Sequence, residues 1–180
     1  MSTAEHRAII GGPGSGKTQI LLHRARHLCD AHGIRPDRFR IFVYTNVLKD
    51  YIRTALRDLR LPEENVLTVD QWCNLYYREK IGGKLPWDAA AKRPDFDEIR
   101  RAVFAKAAAG PPIFDFVMVD EGQDLTEEVF TFLGKASKHV TVCLDNKQQI
   151  YDTGSTEQEI LACLGMRRSN VSLIEAFRVC

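Results

Sequence analysis

No stretch of this chain is apolar over the length a membrane-spanning helix needs, and the opening residues, Met1 to His6, lack the apolar core of a secretory signal. A soluble, cytoplasmic protein with no membrane partner is the expectation. Paired C-x-x-C cysteines are missing too. The five cysteines (Cys29, Cys73, Cys143, Cys163 and Cys180) are scattered and odd in number, as reduced thiols in a reducing compartment are. His23 and His27 stand four apart near Cys29, but no further ligand is spaced for a metal, so the pair reads as an ordinary helix surface. Neither sign of charge dominates. A formal net charge of +1 means that a basic groove, if the protein uses one, has to be local. There is no internal repeat, low-complexity tract or composition shift, which points to one domain over residues 1–180, long enough for its own core.

What the chain does have is an alternation of short apolar runs with helical patterns. Arg7 to Ile10, Arg38 to Tyr44, Asn65 to Val69, Phe114 to Glu121, His139 to Asp145 and Val171 to Ile174 read as strands. Between them lie helical stretches: Gln19 to Leu28, Val47 to Arg60, a stretch beginning near Asp70, Asp95 (as cap) to Ala109, Leu125 to Lys135, and residues 156–164. The second of these carries Leu48, Tyr51, Ile52, Ala55, Leu56 and Leu59 on its expected inner side; the third carries Trp72, Leu75 and Tyr76 on one face. Gly82 to Trp87 and Arg93-Pro94 are dense in glycine and proline and predict a loop or small excursion. Strands alternating with helices predict an α/β fold with a mainly parallel central sheet flanked by helices.

The most specific stretch is Gly11-Gly12-Pro13-Gly14-Ser15-Gly16-Lys17-Thr18. It fits G-x-x-x-x-G-K-[ST], follows an apolar strand and opens a helix, as a phosphate-cradling P-loop must. Glycines let backbone N–H groups turn inward around phosphate oxygens, and the first turn of the helix adds unpaired N–H groups and a positive dipole end. Lys17 would reach the β- and γ-phosphates of a nucleoside triphosphate, and the Thr18 hydroxyl would ligate magnesium. A second acidic element completes such a site. Phe114 to Val119 is an apolar run that delivers Asp120 and Glu121 to its end. Asp120 suits the magnesium shell and Glu121 suits the general base that takes a proton from attacking water.

Asp120-Glu121-Gly122-Gln123-Asp124 is D-E-x-Q-D and resembles motif II of the UvrD/Rep-like superfamily 1 DNA helicases. Other stretches are similar to that family in its order. Gly12 to Arg24 resembles motif I; Tyr44-Thr45-Asn46, with the following helix containing Arg53, resembles motif Ia; Thr68 to Trp72 resembles the T-F-H-S-F segment. Leu144 to Tyr151 resembles motif III, and Leu173 to Arg178 resembles motif IV. The resemblance implies the N-terminal RecA-like lobe, called 1A, of a three-layer P-loop NTPase that binds Mg-ATP. It implies that Gln148 senses the γ-phosphate, that Gln123 and Arg53 lie toward the nucleotide, and that Arg178 stabilises transferring charge. It also implies contacts to single-stranded DNA through Thr45, Asn46, Thr68 and Trp72, with Tyr44, Trp72 and Tyr151 offering faces on which bases stack.

Four departures qualify the resemblance. No glutamine precedes Gly11, so selectivity for adenine is not implied; Ala176-Phe177-Arg178-Val179 stands where the family has N-Y-R-S. The span between the T-F-H-S-F-like segment, Thr68 to Trp72, and motif II is too short for the family's inserted 1B domain. The sequence ends at Cys180, before motifs V and VI, so the second RecA-like lobe or C-terminal region of a longer protein is an expected partner. One lobe alone is expected to be a weak ATPase without unwinding activity. A freestanding nucleotide-gated switch or binding module is the alternative reading.

Overall fold

A computed structural model describes residues 6–145, 154–167 and 171–173. Its strands are β1 (Arg7–Gly11), β2 (Phe39–Phe42), β3 (Val66–Leu67), β4 (Trp87–Asp88), β5 (Arg93–Pro94), β6 (Phe116–Val119), β7 (Val140–Leu144) and β8 (Val171–Leu173). Its helices are α1 (Lys17–His32), α2 (Asn46–Asp58), α3 (Val69–Tyr76), α4 (Phe96–Ala108), α5 (Glu127–Ala136) and α6 (Glu157–Cys163). Six strands form one sheet in the order β3-β2-β6-β7-β1-β8, with every neighbouring pair parallel. The expected parallel α/β layer is present.

Strand alternation divides the core. Ile9, Ile41, Phe116, Met118 and Cys143 face α1 and α2, packing with Leu21, Leu22, Leu28, Ile52 and Leu56. Ala8, Ile10, Phe42, Val117, Val119 and Val142 face the opposite layer, built from α3, α4, α5 and α6. A period of two along each strand therefore buries both faces, and the short apolar runs of the sequence are central strands for that reason. Helix starts follow capping chemistry. Thr45, Thr68, Asp95 and Thr156 each accept a hydrogen bond from a backbone N–H in the first turn, and Thr68–Gln71 and Thr156–Glu159 are reciprocal capping boxes.

The glycine- and proline-rich excursion resolves into a turn of π-helix at Tyr77–Ile81 followed by the antiparallel hairpin β4–β5. Two expectations about helix faces are corrected: the inner side given to Tyr51, and the face that Leu75 shares with Trp72 and Tyr76. Tyr51 is 57% exposed and Leu75 55% exposed, because the sheet-facing stripe of each helix is narrower than its apolar content.

Trp72 is a larger correction. It is 5% exposed, and its ring lies 5.1–6.0 Å from those of Phe42, Tyr76, Phe114 and Phe132. Its faces are taken up by the core, so it has no surface on which a nucleobase can stack.

Candidate functional site

Parallel strands put all their C-terminal ends on one edge of the sheet, and three neighbours, β6, β7 and β1, deliver the chemistry there. β1 runs straight into the loop Gly11 to Gly16. Gly14 and Gly16 have φ of 71° and 83°, in the left-handed region where a side chain is strained. Gly16 is the N-cap of α1, so the loop passes directly into the first helical turn. Lys17 is buried and folds back over the loop, its Nζ donating to Gly11 O at 2.8 Å and Gly12 O at 3.0 Å. It also meets Asp145 Oδ2 at 3.5 Å, a buried ion pair with the acid at the end of β7.

The acidic half lies one strand further on. Asp120 is fully buried; its Oδ2 accepts from Thr18 Oγ1 at 2.8 Å and its Oδ1 from the Glu121 N–H at 3.2 Å. Burial pushes the Asp120 carboxyl above the usual range, against the Thr18 hydrogen bond, which lowers it. Glu121 does not continue the strand. Its φ of 51° and ψ of 50° turn it off the strand axis, so the two adjacent acids point apart through backbone conformation rather than strand pleat. Gln123 Nε2 donates to Glu121 Oε2 at 2.7 Å, and Gln123 Oε1 accepts from the Asp145 N–H at 3.1 Å.

These residues fit a magnesium–nucleoside triphosphate. The Ser15 hydroxyl is buried in the loop with no hydrogen-bond partner among the described residues, a donor poised for an anion. A lysine that already donates to two carbonyls can donate to phosphate oxygens instead, and a hydroxyl–carboxylate pair is the oxygen donor set magnesium takes.

A folded carboxyl raised above its unfolded value favours folding fully at pH below the unfolded value, and that contribution is lost as pH rises through the folded one. At neutral pH the buried Asp120 charge therefore costs stability. Asp120→Asn should raise the melting temperature of the nucleotide-free protein by a few degrees at pH 7, with the gain vanishing at acid pH, while abolishing any magnesium-dependent shift. Calorimetry at two pH values checks this.

Thr45, Asn46 and Thr68 are brought together at the ends of β2 and β3. Asn46 Oδ1 accepts from Gln71 Nε2 and Lys49 Nζ, both at 3.0 Å, joining the start of α2 to the start of α3. Lys49 and Gln71 belong to this cluster and were not legible as such, because their meeting depends on two helices starting side by side. Arg53 is not brought to the cradle. Its Nε donates to Glu63 O, ahead of β3 and so at the opposite edge of the sheet. Gln148, Tyr151 and Arg178 lie outside the described residues. Asp145 was visible as a strand-ending acid, but its pairing with Lys17 follows only from the adjacency of β7 and β1.

Among the described residues no helix is long and apolar enough to cross a membrane, and no three His, Cys, Asp or Glu side chains converge as a metal site.

Comparison with known proteins gives the family and the fold. The family model "UvrD/REP helicase N-terminal domain" matches residues 1–109. A curated relative, the ATP-dependent DNA helicase HMI1, mitochondrial, of Saccharomyces cerevisiae (strain ATCC 204508 / S288c), is 46% identical over 44 residues, 24% of this chain and 6% of that protein. A crystal structure of Pif1 helicase from Candida albicans superposes with a TM-score of 0.58 at 12% identity, covering 97% of this chain and 37% of that one. At that identity the likeness is one of fold. The chain spans well under half the length of both proteins.

Proposed function

The chain belongs to the UvrD/REP helicase N-terminal domain family, and from that premise we propose that it is the ATP-binding and hydrolysing 1A lobe of a DNA helicase. The observation that carries the reading is the convergence of Lys17, Thr18, Asp120 and Asp145 from three adjacent strand ends around one glycine-rich loop. Backbone N–H groups of the loop and of the first turn of α1 bind the phosphates, and Lys17 moves from its carbonyl partners to the β- and γ-phosphate oxygens. Thr18 and Asp120 hold magnesium, which when bound neutralises phosphate charge. Glu121 accepts the proton of the attacking water as the bond to the γ-phosphorus forms and the bridging bond to ADP breaks. Domain closure with a second RecA-like lobe supplies what these residues lack, so the chain alone is a weak ATPase and no motor. Cys29, Cys73, Cys143 and Cys163 are free thiols, which suits a reducing compartment such as the cytoplasm.

Thermal shift with Mg-ATP tests the reading. At a hundredfold excess over the dissociation constant the parent should gain about 5–10 °C, the effect of ~2.7 kcal/mol in a domain of this size. Lys17→Ala should show no shift at the same concentration; an equal shift in parent and variant removes Lys17 from the site.

For nucleic acid, we propose that the edge formed by the exposed Thr45 and Asn46 and the half-buried Lys49, where the N-termini of α2 and α3 lie side by side, takes the backbone of single-stranded DNA. Binding of a labelled oligonucleotide should be weak, independent of sequence, and reduced severalfold in Lys49→Glu, with the loss largest at low salt. Equal affinities for parent and variant at low salt would place the strand elsewhere.

A further inference from the structure

We infer that Gln123 is a positioning residue that holds the Glu121 carboxylate with one end of its amide and the exit of β7 with the other; this rests on the reading of Glu121 as the general base. The assignment follows from complementarity. The Asp145 N–H, 3.1 Å away, needs an acceptor, and the Glu121 carboxylate, 2.7 Å away, needs a donor. Only one orientation of the amide satisfies both, with Oε1 toward β7 and Nε2 toward Glu121.

The backbone of Gln123 is held as firmly as its side chain. Its carbonyl accepts from the Ser155 N–H at 3.1 Å, and Ser155 Oγ donates to Leu125 O at 2.7 Å. Gly154 passes so close that a Cβ there would sit 2.0 Å from Gln123 O, a contact with backbone that cannot swing aside. Gln123 is itself buried. The chain leaving β7 at Asp145 and the chain arriving at Ser155 are thus both bonded to this one residue. Glu121 has a left-handed backbone that leaves the strand, and among the described residues the Gln123 amide donates to its carboxylate and so gives it a direction. Through the same amide the direction of Glu121 is tied to Asp145, the partner of Lys17.

Two variants separate the two ends of the amide. Gln123→Leu keeps the volume and removes both bonds. Gln123→Glu keeps an acceptor for Asp145 and sets a carboxylate against Glu121. In the nucleotide-free full chain, amide hydrogen exchange at Asp145, followed by NMR, should accelerate about tenfold in Gln123→Leu and stay near parent in Gln123→Glu. In single-turnover phosphate release both variants should lose about tenfold or more in kcat, with KM for Mg-ATP changed less than about twofold. Unchanged Asp145 exchange in Gln123→Leu overturns the inference, as does parent-level turnover in Gln123→Glu. If turnover falls in Glu121→Gln but not in Gln123→Glu, the positioning role alone fails; if it is unaffected even by Glu121→Gln, the base assignment fails and takes the positioning role with it.

Discussion

Glu121→Gln should bind Mg-ATP as the parent does and release phosphate about 10²–10⁴-fold more slowly. The substitution keeps the side-chain volume and the left-handed backbone at this position, and removes only the capacity to take a proton. Glutamine at 121 also still offers an oxygen to the Gln123 amide, so the bridge to β7 survives and binding is not disturbed at a distance. Asp120, which holds the Thr18 hydroxyl, is untouched, so the expected magnesium site is intact. Nucleotide-dependent thermal shift, equal in parent and variant, together with single-turnover phosphate release, lost in the variant alone, is the pair of measurements required. Retained turnover would mean that some other group accepts the proton, and loss of both binding and turnover would mean that Glu121 supports the nucleotide directly.

Trp72→Ala should cost about 3–5 kcal/mol of folding stability and leave single-strand affinity per folded molecule unchanged. The indole is packed against Phe42 on the sheet, Phe114 ahead of β6, Tyr76 on its own helix and Phe132 on α5, and Phe132 stacks in turn on Phe104 of α4 with centroids 4.1 Å apart. It joins α3 to the sheet and to α5 directly, and to α4 through Phe132. Truncation leaves a cavity that rigid ring neighbours cannot collapse into, which places the cost at the high end for a core residue. Urea unfolding read by far-ultraviolet circular dichroism gives the stability. Titration of a labelled oligonucleotide below the unfolding transition gives the affinity. A variant with parent stability and weakened strand binding would return Trp72 to the nucleic-acid surface.

The contrast between Trp72 and Thr68, neighbours in one motif, shows where legibility ended. Both stand in a stretch resembling a strand-contacting segment. A capping residue is confined to a helix end by its own hydrogen bond to the backbone, so Thr68 could be placed at the sheet edge from local chemistry. An aromatic ring four residues on is compatible with either face of the helix. Which face it takes depends on Phe114 and Phe132, distant in sequence and brought close by folding. Arg53 makes the same point. Its helix was legible, but its direction depends on Glu63, which the turn before β3 brings beneath it.

Some things the sequence determined by itself. The cradle Gly11 to Thr18 is specified locally, because glycines at fixed positions permit φ values near 71° and 83° and the helix that follows supplies its own N–H groups. The parallel α/β layer is also specified by the repeated exchange of period two for helical period along the chain. Only the tertiary structure decided how the acids are used. That Asp145 meets Lys17, that Asp120 meets Thr18, and that Gln123 ties Glu121 to β7 all depend on the strand order β6-β7-β1, set by crossovers far apart in sequence. A residue type and its spacing determine what a side chain can do; the order of strands in the sheet decides what it meets.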